Sequence, residues 1–172
     1  MTGKAGRRPL VPGDPGLSAD YRSLMAEFPT GVAIVTATEG EGQPRGMTCS
    51  ALCSLSIAPP ALLVCLRRES PTLDSVKSSA SFVVNLLHEG SRKVAELFGS
   101  GDPKRFEKVR WTGGAAGPHM VGNAHALAGC TVRSLLNAGT HTIVVGEVVY
   151  AWQLSDRAPL LYGRRHYVAW PE

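Results

Sequence analysis

A chain of 172 residues with 44% hydrophobic and 19% charged side chains suits one domain with a substantial core. No apolar run reaches the about 20 residues of a membrane helix, and Lys4, Arg7 and Arg8 lead into Pro and Gly instead of an apolar leader, so a cytoplasmic protein with no membrane contact is expected. The net charge of +4 falls in pairs such as Arg67-Arg68, Arg92-Lys93 and Arg164-Arg165, which argues against nucleic acid and leaves phosphorylated small molecules as partners.

Residues 1–17 mix Gly, Pro and basic side chains without periodicity and predict a flexible N-terminal arm ahead of a single domain over 18–172. Ser18 is placed to cap a helix whose Tyr21, Leu24, Met25 and Phe28 share one face and are expected to meet the core, and Pro29 ends it. Residues 31–38 predict a strand, 39–44 a polar turn, and 46–55 a single returning strand. Pro59-Pro60 breaks the run before another strand at 61–66. A helix is expected over 70–79, a strand over 81–87, and a second helix from Ser91 carrying Val94, Leu97 and Phe98. After a Gly- and Pro-rich stretch at 99–123, with one helical turn near 104–109, three long strands are expected at 124–136, 140–154 and 160–169. Six or seven strands joined by short turns favour antiparallel pairing, and closure hides their edges. The expected fold is therefore mainly β, a closed or partly open barrel with two or three short helices.

Cys49, Cys53, Cys65 and Cys130 make no Cys-x-x-Cys and read as reduced core thiols. The five histidines lie far apart and none stands at metal-ligand spacing, so no metal is expected. Neither a Gly-x-Gly-x-x-Gly fingerprint, a P-loop nor a Gly-x-Ser-x-Gly elbow occurs. Thr48, Ser50, Ser54 and Ser56 would share one face of a continuous strand, forming either a hydroxyl line for a phosphate or polyol or a plain solvated face. Ser70 and Thr72 follow Arg67-Arg68 at a helix start, where a phosphate and an ordinary N-cap both fit.

Phe28-Pro-Thr-Gly-Val-Ala-Ile-Val-Thr36, Gly46-Met-Thr-Cys-Ser-Ala-Leu-Cys-Ser-Leu-Ser56, Leu63-Val-Cys-Leu66 and Phe82-Val-Val-Asn-Leu-Leu87 stand in family-like order with Gly139-Thr-His-Thr-Ile-Val-Val-Gly-Glu147 and Pro159-Leu-Leu-Tyr162. Over residues 20–170 the chain resembles the short-chain flavin reductases, the reductase components of two-component flavin-dependent monooxygenases. The resemblance implies a Greek-key split β-barrel of the FMN-binding type, a homodimer, and hydride transfer from NADH or NADPH to FMN or FAD. The reduced flavin would then pass to a partner monooxygenase. By the same resemblance Thr48, Cys49 (through its backbone) and Ser50 contact the flavin ring and ribityl chain. Ser54, Ser70 and Thr72 lie near its phosphate, Thr30 and Phe98 border the ring, and His141 is the catalytic residue beside the nicotinamide. Direct hydride transfer needs neither nucleophile nor metal, only two rings held about 3–3.5 Å apart. With no recognisable 2′-phosphate pocket in the sequence, NADH is the expected donor ahead of NADPH. A tight flavin-binding electron carrier and an oxidase of the pyridoxamine-phosphate type are the alternatives on the same barrel.

Overall fold

The computed structural model describes residues 11–171, so ten residues of the expected arm lie outside the described residues. Residues 11–16 make turns, and helix α1 runs over Leu17–Ala26. Its N-cap is Gly16, not Ser18, which falls inside the first turn. None of its side chains is buried, so the stripe expected to meet the core faces outward: Leu24 is 65% and Phe28 61% exposed. Helical periodicity identifies an apolar face correctly but cannot name what covers it.

Ten strands follow: β1 (Thr30–Gly31), β2 (Ala33–Glu39), β3 (Gln43–Cys49), β4 (Leu52–Ile57), β5 (Pro60–Arg67), β6 (Ser81–Leu87), β7 (Ala124–Ala138), β8 (His141–Gln153), β9 (Leu160–Gly163) and β10 (His166–Ala169). Seven form one antiparallel sheet in the order β3-β2-β6-β7-β8-β5-β4, and β1, β9 and β10 form a smaller one. The expected single strand over 46–55 is in fact two. Cys49 ends its pairing with Ala33 on one margin of the large sheet, and Leu52 begins pairing with Val64 on the other. Ser50 and Ala51 carry the chain across, so consecutive strands become the two open edges of a split barrel. The predicted line of four hydroxyls is broken with it, and a bulge between Ser54 and Ser56 separates even those two. The expected strand over 160–169 is likewise a hairpin, turned by Arg164 and Arg165 at φ 49° and 65°.

Strand β2 explains where the core sits. Its side chains alternate, Ala33, Val35 and Ala37 entering one apolar cluster and Ile34, with the preceding Val32, entering another. The first cluster is closed by helix α2 (Pro71–Ser79) through Leu73 and Val76. The second is closed by helix α3 (Arg92–Ser100) through Ala95 and Phe98. Gly101, at φ 77°, terminates α3 in the left-handed conformation that glycine accepts without a Cβ clash. Asn85 on β6 is completely buried yet satisfied: its Nδ2 donates to Ile34 O and Thr36 Oγ1, both at 3.1 Å, and its Oδ1 accepts from Met120 N at 2.8 Å. That network ties the long 99–123 segment to the barrel wall, where an unpaired amide would cost about 1–3 kcal/mol.

All four cysteines are free thiols. Cys49 and Cys130 are buried as expected and Cys65 partly so, but Cys53 is exposed on the edge strand β4. Among the described residues, no helix is long and apolar enough to cross a membrane, and no group of side chains is arranged to hold a metal ion.

Candidate functional site

The end of β5 and the first turn of α2 build a cavity of about 280 Å³ together with α3 and the segment after it. Ser70, Thr72, Arg67, Phe98, Arg105 and Met47 all line it. Ser70 is extended (φ −88°, ψ 130°), Pro71 follows at the first helical position, and Ser70 Oγ accepts from Leu73 N at 3.1 Å. The hydroxyl proton lies toward Met47 Sδ, 3.4 Å away. Ser70 is therefore a true N-cap, and the helix geometry leaves the Thr72 amide without an intrahelical acceptor. Thr72 itself is 1% exposed. The Arg105 guanidinium stands 5.9 Å from the Phe98 ring centroid and donates through Nη1 to Asp102 O at 2.9 Å. Its Nε is buried and has no hydrogen-bond partner among the described residues. Burial, followed by the nearby charge of Arg45, pulls its pKa below the ordinary arginine value. An anion entering the cavity would relieve both the unpaired donor and the like-charge repulsion.

Two further recesses, of about 390 and 420 Å³, share Phe28, Thr30, Ser50 and Leu52. Their walls are mostly apolar. One is completed by Leu86, Pro159 and His125, the other by Met25, Cys65 and Tyr162. Burial and, secondarily, the neighbouring His88 lower the pKa of His125, holding its imidazole neutral at pH 7. Met47 on β3 lines the anion cavity and Ser50, just past the end of β3, lines the slots.

A fourth recess, of about 740 Å³, is polar. It contains His141, which opens β8 opposite Arg67 of β5 and has its Nδ1 2.9 Å from Thr140 Oγ1. Arg67 and Glu69 line both this groove and the anion cavity, so the two adjoin.

The nine residues singled out from the sequence therefore divide. Ser70, Thr72 and Phe98 come together, Thr30 and Ser50 come together, and His141 sits in the groove adjoining the first set. Phe98 is 2% exposed and packs edge-on against Phe106 at 5.0 Å, nearer the anion cavity than the slots that hold Thr30. The Thr48 hydroxyl donates to Ala95 O at 2.6 Å, stitching β3 to α3. Cys49 is buried, its thiol is pushed up to about 11 chiefly by burial, and it is neutral at physiological pH. Ser54 is exposed on β4 and lines none of these four recesses. Arg105, His125 and Tyr162 were not singled out. Arg105 opens a short 3-10 turn and the other two stand in strands; the importance of each arises from long-range contact, and only the Arg67-Arg68 pair before Ser70 carries a local signal.

Residues 25–171 match the family profile described as "Flavin reductase like domain". The chain is 46% identical over 161 residues to a flavin reductase (NADPH) from Lentzea aerocolonigenes, covering 92% of this chain and 94% of that one. It is 30% identical over 163 residues to the reductase subunit HsaB of a flavin-dependent monooxygenase from Rhodococcus jostii, covering 91% and 83%. Its fold is similar to that of the NADH:FAD oxidoreductase SgcE6 of Streptomyces globisporus, solved with NAD and FAD fragments, at a TM-score of 0.85 and 30% identity, covering 95% of this chain and 98% of that one.

Proposed function

This chain belongs to the flavin reductase-like family, and from that premise we propose how its own residues serve the reaction. It is an NAD(P)H-dependent flavin reductase, using FMN or FAD as acceptor, of the kind that forms the reductase component of two-component monooxygenases. Bound flavin supplies a ring that accepts hydride from the nicotinamide.

The observation that carries the assignment of residues is the unpaired, buried Arg105 Nε beside the capped start of α2. A flavin phosphate fits there, accepting from Arg105 and from the Thr72 amide, with Arg67 adding charge. The apolar slots suit the flat ring: Thr30 and Ser50 offer hydrogen bonds at its polar edge while Phe28 and Leu52 exclude water. Cys49 contributes backbone alone, because its thiol is protonated and turned into the core. Thr48 holds β3 against α3, and Phe98 supports the phosphate end. Ser54 has no contact that supports a phosphate role. His141 orients the nicotinamide from the adjoining groove, so His141→Ala raises the KM for the donor.

We also assign the exposed apolar surface to a homodimer. Leu24 and Phe28 on and after α1, Ile57 on β4 (90% exposed) and Leu136 on β7 are more apolar surface than one chain keeps in water without a partner. Reduced flavin then leaves for a partner oxygenase by diffusion, in the cytoplasm. The test follows NADPH and NADH oxidation with catalytic protein and excess FMN or FAD. Many turnovers that scale with added flavin are expected; one stoichiometric bleaching of bound flavin would replace the reductase with an electron carrier.

A further inference from the structure

The polar groove beside His141 holds three cations, Arg67, Arg68 and Lys77, against a single carboxylate, Glu69. None of the three cations takes part in an ion pair among the described residues, although six other arginines and lysines do. The Arg68 side chain has only a long contact, its Nη1 3.5 Å from Gly139 O. Two elements bring the charges together, Arg67 and Arg68 from the end of β5 and Lys77 from the last turn of α2, and the wall beside them is the end of β7 with Asn137 and the turn with Thr140. Such a cluster repels itself until an anion binds it.

We propose that this groove receives the 2′-phosphate of NADPH, that Arg68 and Lys77 are specificity-determining residues, and that NADPH is the preferred donor. The inference rests on the flavin reductase reading and adds to it the choice of nicotinamide. His141 stands in the same groove, so a dinucleotide whose nicotinamide lies beside it places its remaining charges among these cations. A 2′-phosphate is a terminal monoester with about two negative charges and three free oxygens, which suits cations converging from separate elements. The bridging diphosphate of FAD, the other source of such chemistry, carries one charge on each phosphorus. It would also begin at the Ser70 cavity, where Arg105 already supplies a partner. The sequence hid this pocket because Lys77 is nine residues from Arg68 and its approach depends on how α2 packs.

The experiment measures kcat/KM for NADPH and NADH with FMN as the common acceptor, in the native protein and in Arg68→Gln, Lys77→Gln and the double variant. Arg68 and Lys77 are exposed, so the fold tolerates these changes. The native enzyme is expected to favour NADPH by at least about tenfold, the worth of one charge-assisted hydrogen bond. The double variant brings the ratio close to unity, and raising ionic strength compresses it in the native protein. Adenosine 2′,5′-bisphosphate should compete with NADPH more strongly than adenosine 5′-monophosphate does. A native preference for NADH, an unchanged ratio in the double variant, or a loss that appears in the KM for FAD instead overturns the proposal. Turnover with neither donor overturns the reductase reading itself.

Discussion

Ser70 performs two duties that one substitution separates. Its Oγ caps α2 and its position faces the anion cavity. Ser70→Asp keeps a capping oxygen, so thermal stability should stay within about 0.5 kcal/mol of the native protein, whereas Ser70→Ala loses roughly 1 kcal/mol. The added carboxylate repels phosphate, so the KM for FMN should rise at least about tenfold while that for riboflavin, which lacks phosphate, barely moves. Equal effects on both flavins would remove the phosphate from this cavity. Cys49 makes a different prediction. Its thiol is raised from 9.0 to about 11 and that of Cys130 to about 12, so between these values the unfolded chain releases protons that the fold retains. Stability is therefore full below pH 9 and falls as pH climbs through 11, on the order of 1 kcal/mol per pH unit for each thiol. Urea midpoints at pH 8 and 10.5 should converge more closely in Cys49→Ala than in the native protein.

At the scale of elements, the β9–β10 hairpin carries a local conflict. Arg164 and Arg165 both occupy positive φ, where a two-residue hairpin turn prefers Asn-Gly. Arg164 is held by Arg164 N to Ala26 O at 2.6 Å and by its ion pair with Glu27 at 2.8 Å, which anchors the turn to the end of α1. Arg165→Gly should stabilise the fold by roughly 0.5–1 kcal/mol, seen as a higher urea midpoint at constant slope; a loss would show that the arginine makes a contact worth more than its backbone strain. Most elements were legible from local pattern. Residues 81–87 read as a strand from β-branched and aromatic side chains, and the helix from Ser91 from its Val94–Leu97–Phe98 spacing. The division of 46–55 was not, because pairing partners are chosen by the rest of the sheet, and nothing in Cys49-Ser50-Ala51-Leu52 distinguishes a crossing from a continuing strand. The site followed the same rule. Ser70 and Thr72 were visible because a helix start has a local signature, while Arg105 and His125 acquired their neighbours only through folding.

For the whole molecule, the decisive feature is the apolar surface that a single chain leaves uncovered. If the proposed homodimer uses this surface, Ile57→Lys on the open margin of β4 shifts sedimentation from dimer toward monomer while leaving the far-ultraviolet circular dichroism unchanged, because Ile57 makes no core contact. An unaltered sedimentation profile would place the contact elsewhere.

The outward face of α1 then acquires a meaning for the enzyme in dilute solution. Met25 and Phe28 belong to that face and also wall the slots beside Thr30 and Ser50. In the proposed homodimer, separation of the subunits opens that wall to water in each half. Specific activity per chain should therefore decline below a threshold concentration and return when the sample is concentrated again, so that cellular abundance itself sets how much of the catalyst is competent.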